Sequence, residues 1–407
     1  MKYLILLGDG MADWPLPDYG DRTPIEVAKT PAIDSLVARG ITGQFCPIPD
    51  GLPAGSDIGN LSMFGYDPGA AFRGRAPIEA ANQGIHLDDN QVAFRCNLVT
   101  LDQGVMKDFT AGHISTEEAA EIIPVLNEKL GTEFPVKFHT GVSYRHIAVV
   151  DASDEATLDD MVRMVCEPPH NISDKDVTPY LPKGSGSDMI HRMIARTQEV
   201  LKDLPVNQRR IAEGKLPVTS AWFWGQGKAP EMETYASKFG LTGAVISAVD
   251  LVMGIGVCAG IDVVRVPGAT GWIDTNYEGK VQAGLTALEN HDFVYIHLEA
   301  PDETAHQGRA DLKIQAIEDF DARIVAPCLE YHDSHPDLRI LVAPDHFTCI
   351  ETRTHAGGPV PFALCGKGIA PDDNTAYSER IAASTDVLIE KGHTLIERMI
   401  RDSSLVL

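Results

Sequence analysis

Several short runs in this chain are almost wholly apolar, and they limit its fold more than any other feature. They are "KYLILLGD" at the start, "GAVISAV" (243–249), "IDVVRVPG" (261–268), "FVYIHL" (293–298), "LRILVAP" (338–344) and "PFALCG" (361–366). A strand that is apolar on both faces must be covered on both faces, as in a parallel sheet flanked by helices. Helical patterns separate most of the runs, notably 311–331 and 375–400. "KTPAIDSLVARG" reads as another helix, with Thr30 as N-cap, Pro31 in the first turn and Gly40 as the stop. The alternation predicts an α/β fold, a mostly parallel sheet with helices on both faces.

The middle of the chain follows a different period. In "VAFRCNLVTL" (92–101), Val92, Phe94, Cys96 and Leu98 face one way and Arg95 and Asn97 the other. "YRHIAVVD" (144–151) is similar, and the amphipathic helix "TEEAAEIIPVLNEKLG" lies between them. Half-buried strands of this kind predict a smaller inserted α+β domain over 91–185, within a discontinuous core formed by 1–90 and 186–407. The stretch "PPHNISDKDVTPYLPKGSGSD" (168–188) reads as the linker back to the core.

Charge narrows the partners. The 407 residues carry a formal net charge of −24, with 44% hydrophobic and 23% charged content. A field of that sign repels nucleic acid and anionic lipid, so the expected partner is neither nucleic acid nor membrane. An anionic ligand would have to be drawn in locally, by metal ions or a few arginines. The 7 cysteines are scattered without a CxxC pair, which fits a reducing cytoplasmic compartment. The apolar run before Gly8 is too short for a signal-peptide core or a membrane span.

In open α/β sheets, ligands bind beyond the carboxyl ends of the strands. Asp9 follows the first strand, Asp302 and His306 follow "FVYIHL", Asp345 and His346 follow "LRILVAP", and His355 precedes the last apolar run. Each alone reads as well as a turn former or loop polarity. Together, three Asp and three His at one sheet edge can hold two divalent ions, and the imidazoles favour manganese, zinc or cobalt over magnesium. Paired ions suit phosphoryl transfer. Ser56, in "GLPAGSDIGNLSMFGYDP", is the candidate nucleophile. It also reads as an N-cap, and the two roles are compatible, because a helix N-terminus favours phosphate.

With these residues in hand, "LLGDGMAD", "PAGSDIGNLSMFGYDP", "FRGRAPIEAA", "AFRCNLVT", "EAPDETAHQG", "APDH" and "THAGGPVPF" together resemble the cofactor-independent phosphoglycerate mutases of archaeal type, in the alkaline phosphatase superfamily. The resemblance runs from Lys2 to about Gly368. It implies an alkaline-phosphatase-like core with two divalent ions, one on Asp302, His306 and His355, the other on Asp9, Ser56, Asp345 and His346. It further implies that Ser56 takes the phosphoryl group of a small phosphorylated metabolite and returns it to the other hydroxyl, interconverting 2- and 3-phosphoglycerate without 2,3-bisphosphoglycerate. The inserted domain is expected to exclude water. Arg75 and Arg95 lie in matching motifs as anion clamps, with Arg73, Arg145 and Lys280 as further candidates.

One stretch departs from the family. "DFTAGHIS" (108–115) places Thr110 and His113 where archaeal-type mutases carry two arginines. His113 supplies a positive charge there only when protonated. This variant, with "WFWGQGK" (222–228) and "GATGWIDTNYEGK" (268–280), resembles a subgroup proposed to be homoserine kinases. The alternatives to a mutase are therefore a homoserine kinase-like phosphotransferase and a phosphatase of the same superfamily.

Overall fold

The structure, a computed structural model, describes residues 1–401. The chain divides into two compact units: Arg73–Pro230 forms one, and the residues on either side form the other. The first unit opens with β1 (Lys2–Gly8) and β2 (Gly40–Phe45). The second holds β3 (Gln91–Asp102), β4 (Val105–Asp108), β5 (Val136–His139), β6 (Arg145–Asp151) and β7 (Ser220–Gly227). The chain then returns to the first unit with β8 (Gly243–Ile246), β9 (Asp262–Val264), β10 (Phe293–Leu298) and β11 (Leu338–Ala343). It ends with β12 (Phe347–Cys349), β13 (Thr354–Ala356), β14 (Val360–Gly366) and β15 (Leu388–Ile389).

The first unit is built on an eight-stranded sheet in the order β15-β2-β14-β11-β1-β10-β8-β9. β1 sits between β10 and β11 and is parallel to both, and the β10, β8, β9 run continues parallel. β14 is antiparallel to β11 and β2, so the sheet is mostly parallel, as its sequence predicts. Leu4 to Leu7 of β1 have no exposed surface, which is why that strand carries no polar alternation. Each such Leu or Ile contributes on the order of 1.5–3 kcal/mol of transfer free energy. In register, Gly8 lies opposite Leu298 and Leu7 opposite Ala343. The three central strands therefore end level, and whatever follows them emerges at one sheet edge.

Local expectations change in three places. Thr30 precedes the helix Pro31–Ala38 but makes no capping bond. Its role is taken by Asp321, whose carboxylate accepts from the amides of Ile33 (2.7 Å) and Ala32 (3.2 Å). Asp321 opens a π-turn, Asp321–Val325, that splits the predicted helix 311–331 into Ala310–Phe320 and Ala326–Ser334. The predicted strand 261–268 shortens to β9, an edge strand of three residues.

In the second unit, β3 is central and antiparallel to β6, β7 and β4. This unit begins earlier and ends later than the predicted 91–185. Helix Arg75–Asn82 packs Ala76 and Ala80 against Ala93, Ile147 and Val149. Helix Ser187–Leu201 buries Ile190, Met193, Ile194 and Leu201 in the same core as Phe94 and Phe223. The Pro- and Gly-rich stretch is not a linker between domains, since Ile172 and Val177 pack with Trp222 and Trp224 inside the unit. No helix among the described residues is long and apolar enough to cross a membrane. All seven cysteines are free.

Candidate active site

The first unit brings together all seven residues predicted to hold metal. Asp9 directly follows β1, Asp345 and His346 follow β11, and helix Ala300–His306 follows β10 and carries Asp302 and His306. The β12–β13 hairpin returns His355 to the same place. Ser56 is not an N-cap: Gly55 holds that position, and Ser56 is the first residue of helix Ser56–Met63. That helix packs directly on the β11 turn, where a Cβ at Gly59 would lie 2.5 Å from the Asp345 carbonyl oxygen. Asn60, one turn on from Ser56, donates to the Ser56 carbonyl (3.0 Å) and to Asp345 Oδ2 (2.7 Å).

The donor atoms converge in two groups. In the first, His346 Nε2 lies 3.3 Å from Asp9 Oδ1, 3.4 Å from Asp345 Oδ2 and 3.1 Å from Ser56 Oγ. In the second, His306 Nε2 and His355 Nε2 lie 3.0 Å apart, each 3.3 Å from an oxygen of Asp302. Asp9, Asp345 and His346 are buried, whereas the His306 and His355 side chains are 33% and 27% exposed and Ser56 is half-buried, so the cluster opens to solvent through Ser56 and the second group. His346 Nδ1 faces the Phe347 carbonyl at 3.2 Å. A carbonyl only accepts, so Nδ1 carries the proton and Nε2 presents a lone pair. His306 Nδ1 donates to the Arg353 carbonyl at 2.9 Å, which fixes the ring with Nε2 toward Asp302.

Electrostatics in the cluster call for a cation. Burial, with the Asp345 and Asp302 carboxylates, pushes Asp9 well above the usual carboxylate range. Burial raises Asp345 as well. Asp302 is also buried, but hydrogen bonds from His306 and His355 hold it well below that range. The same bond pushes His306 up to about 9. Asp9 Oδ1 is buried with no hydrogen-bond donor. Two buried lone-pair atoms facing each other, Asp9 Oδ1 and His346 Nε2, are poor partners for one another and good ligands for a divalent ion. Asp302, His346 and His355, and likewise Asp9, Asp345 and His346, each offer ligand atoms within 4.8 Å of one another. Oxygen and imidazole donors in these numbers fit the divalent ions that the sequence implies.

A family model for 2,3-bisphosphoglycerate-independent phosphoglycerate mutase matches residues 38–207. The protein of that name from Methanosarcina barkeri is 47% identical over 403 residues, covering 98% of this chain and 100% of its own. The chain belongs to the 2,3-bisphosphoglycerate-independent phosphoglycerate mutase family. Among solved structures, a Pyrococcus horikoshii protein matches with a TM-score of 0.81 at 30% identity, covering 99% of this chain and 97% of that one. The cofactor-independent phosphoglycerate mutase of Thermoplasma acidophilum matches with a TM-score of 0.67 at 25% identity, covering 99% and 100%.

The candidate substrate residues of this mutase-family chain are less concentrated. In the second unit, Glu79 joins Arg75 and Arg95: its two oxygens each accept from one Nε at 2.9 Å. Arg95 also stacks on Trp224, its guanidinium carbon 4.0 Å from the ring centre. Burial lowers Arg95 to about 10, so it stays charged at neutral pH. Arg145 is exposed beside Tyr144 and adds positive potential at both Glu79 and Arg95. Arg73 is half-buried one residue before Gly74. His113 is exposed at a backbone φ of +50°. Thr110 is buried, its hydroxyl donating to Asp108 (2.6 Å) and accepting from the His113 amide (2.9 Å). It shapes a turn and offers no charge.

Lys280 is a correction. It has no exposed surface, lies in the first unit, and donates to the His297 carbonyl at 3.0 Å, with burial lowering it to about 8. A committed, buried ammonium of this kind supports strand β10 and is not a substrate clamp. Its neighbour His297 belongs to the site and went unread in the sequence. His297 Nε2 donates to Asp9 Oδ2 at 2.9 Å, which leaves Oδ1 for a metal, and Ser247 Oγ lies 3.1 Å from its Nδ1. A histidine inside the otherwise apolar "FVYIHL" was the available signal. Asn60, Tyr295 (its hydroxyl on Asn60 Oδ1 at 2.8 Å) and Glu79 are further residues that the sequence reading does not single out.

Glu79 yields a pH prediction. Burial raises its carboxyl, but Arg95 and Arg75 outweigh that and leave it below the usual glutamate range. The resulting stabilisation is present above the ordinary glutamate pKa and is lost as pH falls through the depressed value. Glu79→Gln is expected to destabilise the protein at neutral pH by about 3–5 kcal/mol, because it leaves buried Arg95 without its counter-charge. The variant should also show a shallower loss of stability in acid than the wild type. Urea unfolding from pH 7 down to pH 3 measures both.

Proposed function

We propose that this chain interconverts 2-phosphoglycerate and 3-phosphoglycerate by passing the phosphoryl group through Ser56. The observation that carries the reading is Ser56 Oγ, at the positive end of a helix and 3.1 Å from His346 Nε2, beside a buried donor set. Full-length similarity to mutases supports the choice of substrate. Asp9, Ser56, Asp345 and His346 would hold one divalent ion, and Asp302, His306 and His355 the other. Manganese, zinc or cobalt bound there supplies Lewis acidity, lowering the serine pKa and offsetting charge on the phosphoryl oxygens.

Ser56 Oγ attacks the phosphorus and loses its proton, and the O–P bond to the glycerate breaks, that oxygen leaving as the protonated hydroxyl. The N-terminus of helix Ser56–Met63 favours the phosphoserine dianion. The glycerate then offers its other hydroxyl, which takes the phosphoryl group back and regenerates Ser56. No water is consumed and no bisphosphoglycerate is required. Arg75 and Arg95, preset by Glu79, are suited to anionic groups of the substrate.

A second acceptor remains in view because Thr110 and His113 replace two arginines, and Thr110 is committed to its turn. An amino-acid alcohol such as homoserine needs fewer positive charges than phosphoglycerate. Metal-loaded protein is assayed with 3-phosphoglycerate, and separately with homoserine and ATP. The expected result is 2-phosphoglycerate without release of phosphate. O-phosphohomoserine instead, or phosphate release at a rival rate, would replace the mutase reading with a kinase or a phosphatase.

A further inference from the structure

We propose that Thr348 is a positioning residue whose single hydroxyl couples the two ligand groups, so that both ions depend on it. The inference rests on the two-ion reading above. Thr348 lies on β12, has no exposed surface, and pairs across the hairpin with His355. Its Oγ1 donates to Asp302 Oδ1 at 2.6 Å, a ligand atom of the open group. The same Oγ1 lies 3.1 Å from His346 Nδ1, on the ligand of the buried group. Since Nδ1 carries the proton, the hydroxyl accepts from His346 while donating to Asp302. One oxygen thus sets the direction of the His346 Nε2 lone pair and fixes which Asp302 oxygen is turned to His306.

The rest of the fold holds that oxygen still. The Thr348 amide donates to the Ala12 carbonyl at 3.2 Å. Lys313, itself fully buried, donates to the Thr348 carbonyl (2.7 Å), the Ala12 carbonyl (3.1 Å) and Asp13 (2.8 Å). The Thr348 backbone is therefore tied on both sides to the loop that carries Asp9. Gly10 completes the arrangement. It sits at φ +57°, and a Cβ there would lie 2.3 Å from Thr348 Oγ1 and 2.7 Å from Asp302 Oδ1. The hydroxyl-to-carboxylate bond fills the space that the glycine leaves.

Removing a group that orients metal ligands typically costs 10- to 100-fold in metal affinity. Manganese is titrated into chelator-stripped full-length protein by calorimetry, with thermal unfolding of each stripped form alongside. Wild type is expected to bind two ions. Thr348→Val should weaken both by roughly 10- to 100-fold while the stripped protein still melts cooperatively. Thr348→Ser, which keeps the hydroxyl, should bind as wild type, and His306→Ala should weaken one ion only. If Thr348→Val does not fold, Thr348→Ala carries the same expectation. Two ions bound by Thr348→Val with wild-type affinity would overturn the coupling and leave the two-ion reading standing, as would loss in Thr348→Ser equal to that in Thr348→Val. Wild type binding fewer than two ions would overturn the two-ion reading and the coupling with it.

Discussion

Ser56→Ala is expected to reduce turnover by roughly 10⁵-fold or more, the scale seen when a covalent nucleophile is removed. The fold should scarcely respond. Ser56 makes no capping bond, because Gly55 occupies the cap position, and alanine is the better helix former. The Asn60 bonds to the Ser56 carbonyl and to Asp345 do not involve the lost hydroxyl. Metal affinity should fall only modestly, since the variant keeps Asp9, Asp345 and His346. The measurement is turnover of 3-phosphoglycerate beside a thermal melt. A variant that melts as wild type yet turns over at a comparable rate would remove Ser56 from the chemistry.

Stripping the protein with a chelator is expected to abolish turnover and lower the melting temperature together. Asp9, Asp302 and Asp345 crowd one buried volume; burial acts to raise all three carboxyls and leaves Asp9 and Asp345 above the usual range. Bound cations would remove that penalty and add mass-action stability, about 4 kcal/mol at an ion concentration of 1,000 times Kd. Manganese, cobalt or zinc should restore both properties. Magnesium should do so least well, because three imidazoles are poor company for an ion that prefers oxygen and water. Calorimetric melts and turnover after each re-addition test this. Full activity in stripped protein would contradict the metal reading.

Much of the site is legible in the sequence because the fold separates its tasks. The central strands are apolar throughout, so Asp9, Asp302, Asp345 and His346, each at or just past a strand end, stand out against them. Parallel register then brings them level at one edge. The supporting residues are harder to see. His297 and Tyr295 sit inside an apolar strand and look like core, and Thr348 and Asn60 look like ordinary turn and helix residues. Their meaning depends on partners as far away as 288 positions in the case of His297 and Asp9. The inserted unit, Arg73–Pro230, is longer than the sequence pattern predicts for a similar reason. β7 pairs with β3 over a long sequence separation, and "SAWFWGQG" is buried on both faces over most of its length, so no alternation marks it. Helices Arg75–Asn82 and Ser187–Leu201 show an amphipathic pattern but not which sheet they cover.

The central claim is that the phosphoryl group rests on Ser56 between two hydroxyls of one substrate. The direct test is to quench metal-loaded protein in acid during turnover of 3-phosphoglycerate and map phosphate by peptide mass spectrometry. Phosphate on the peptide at Ser56, absent in Ser56→Ala and in chelated protein, is the predicted result. Rapid conversion to 2-phosphoglycerate with no phosphate on Ser56 at any quench time would contradict it.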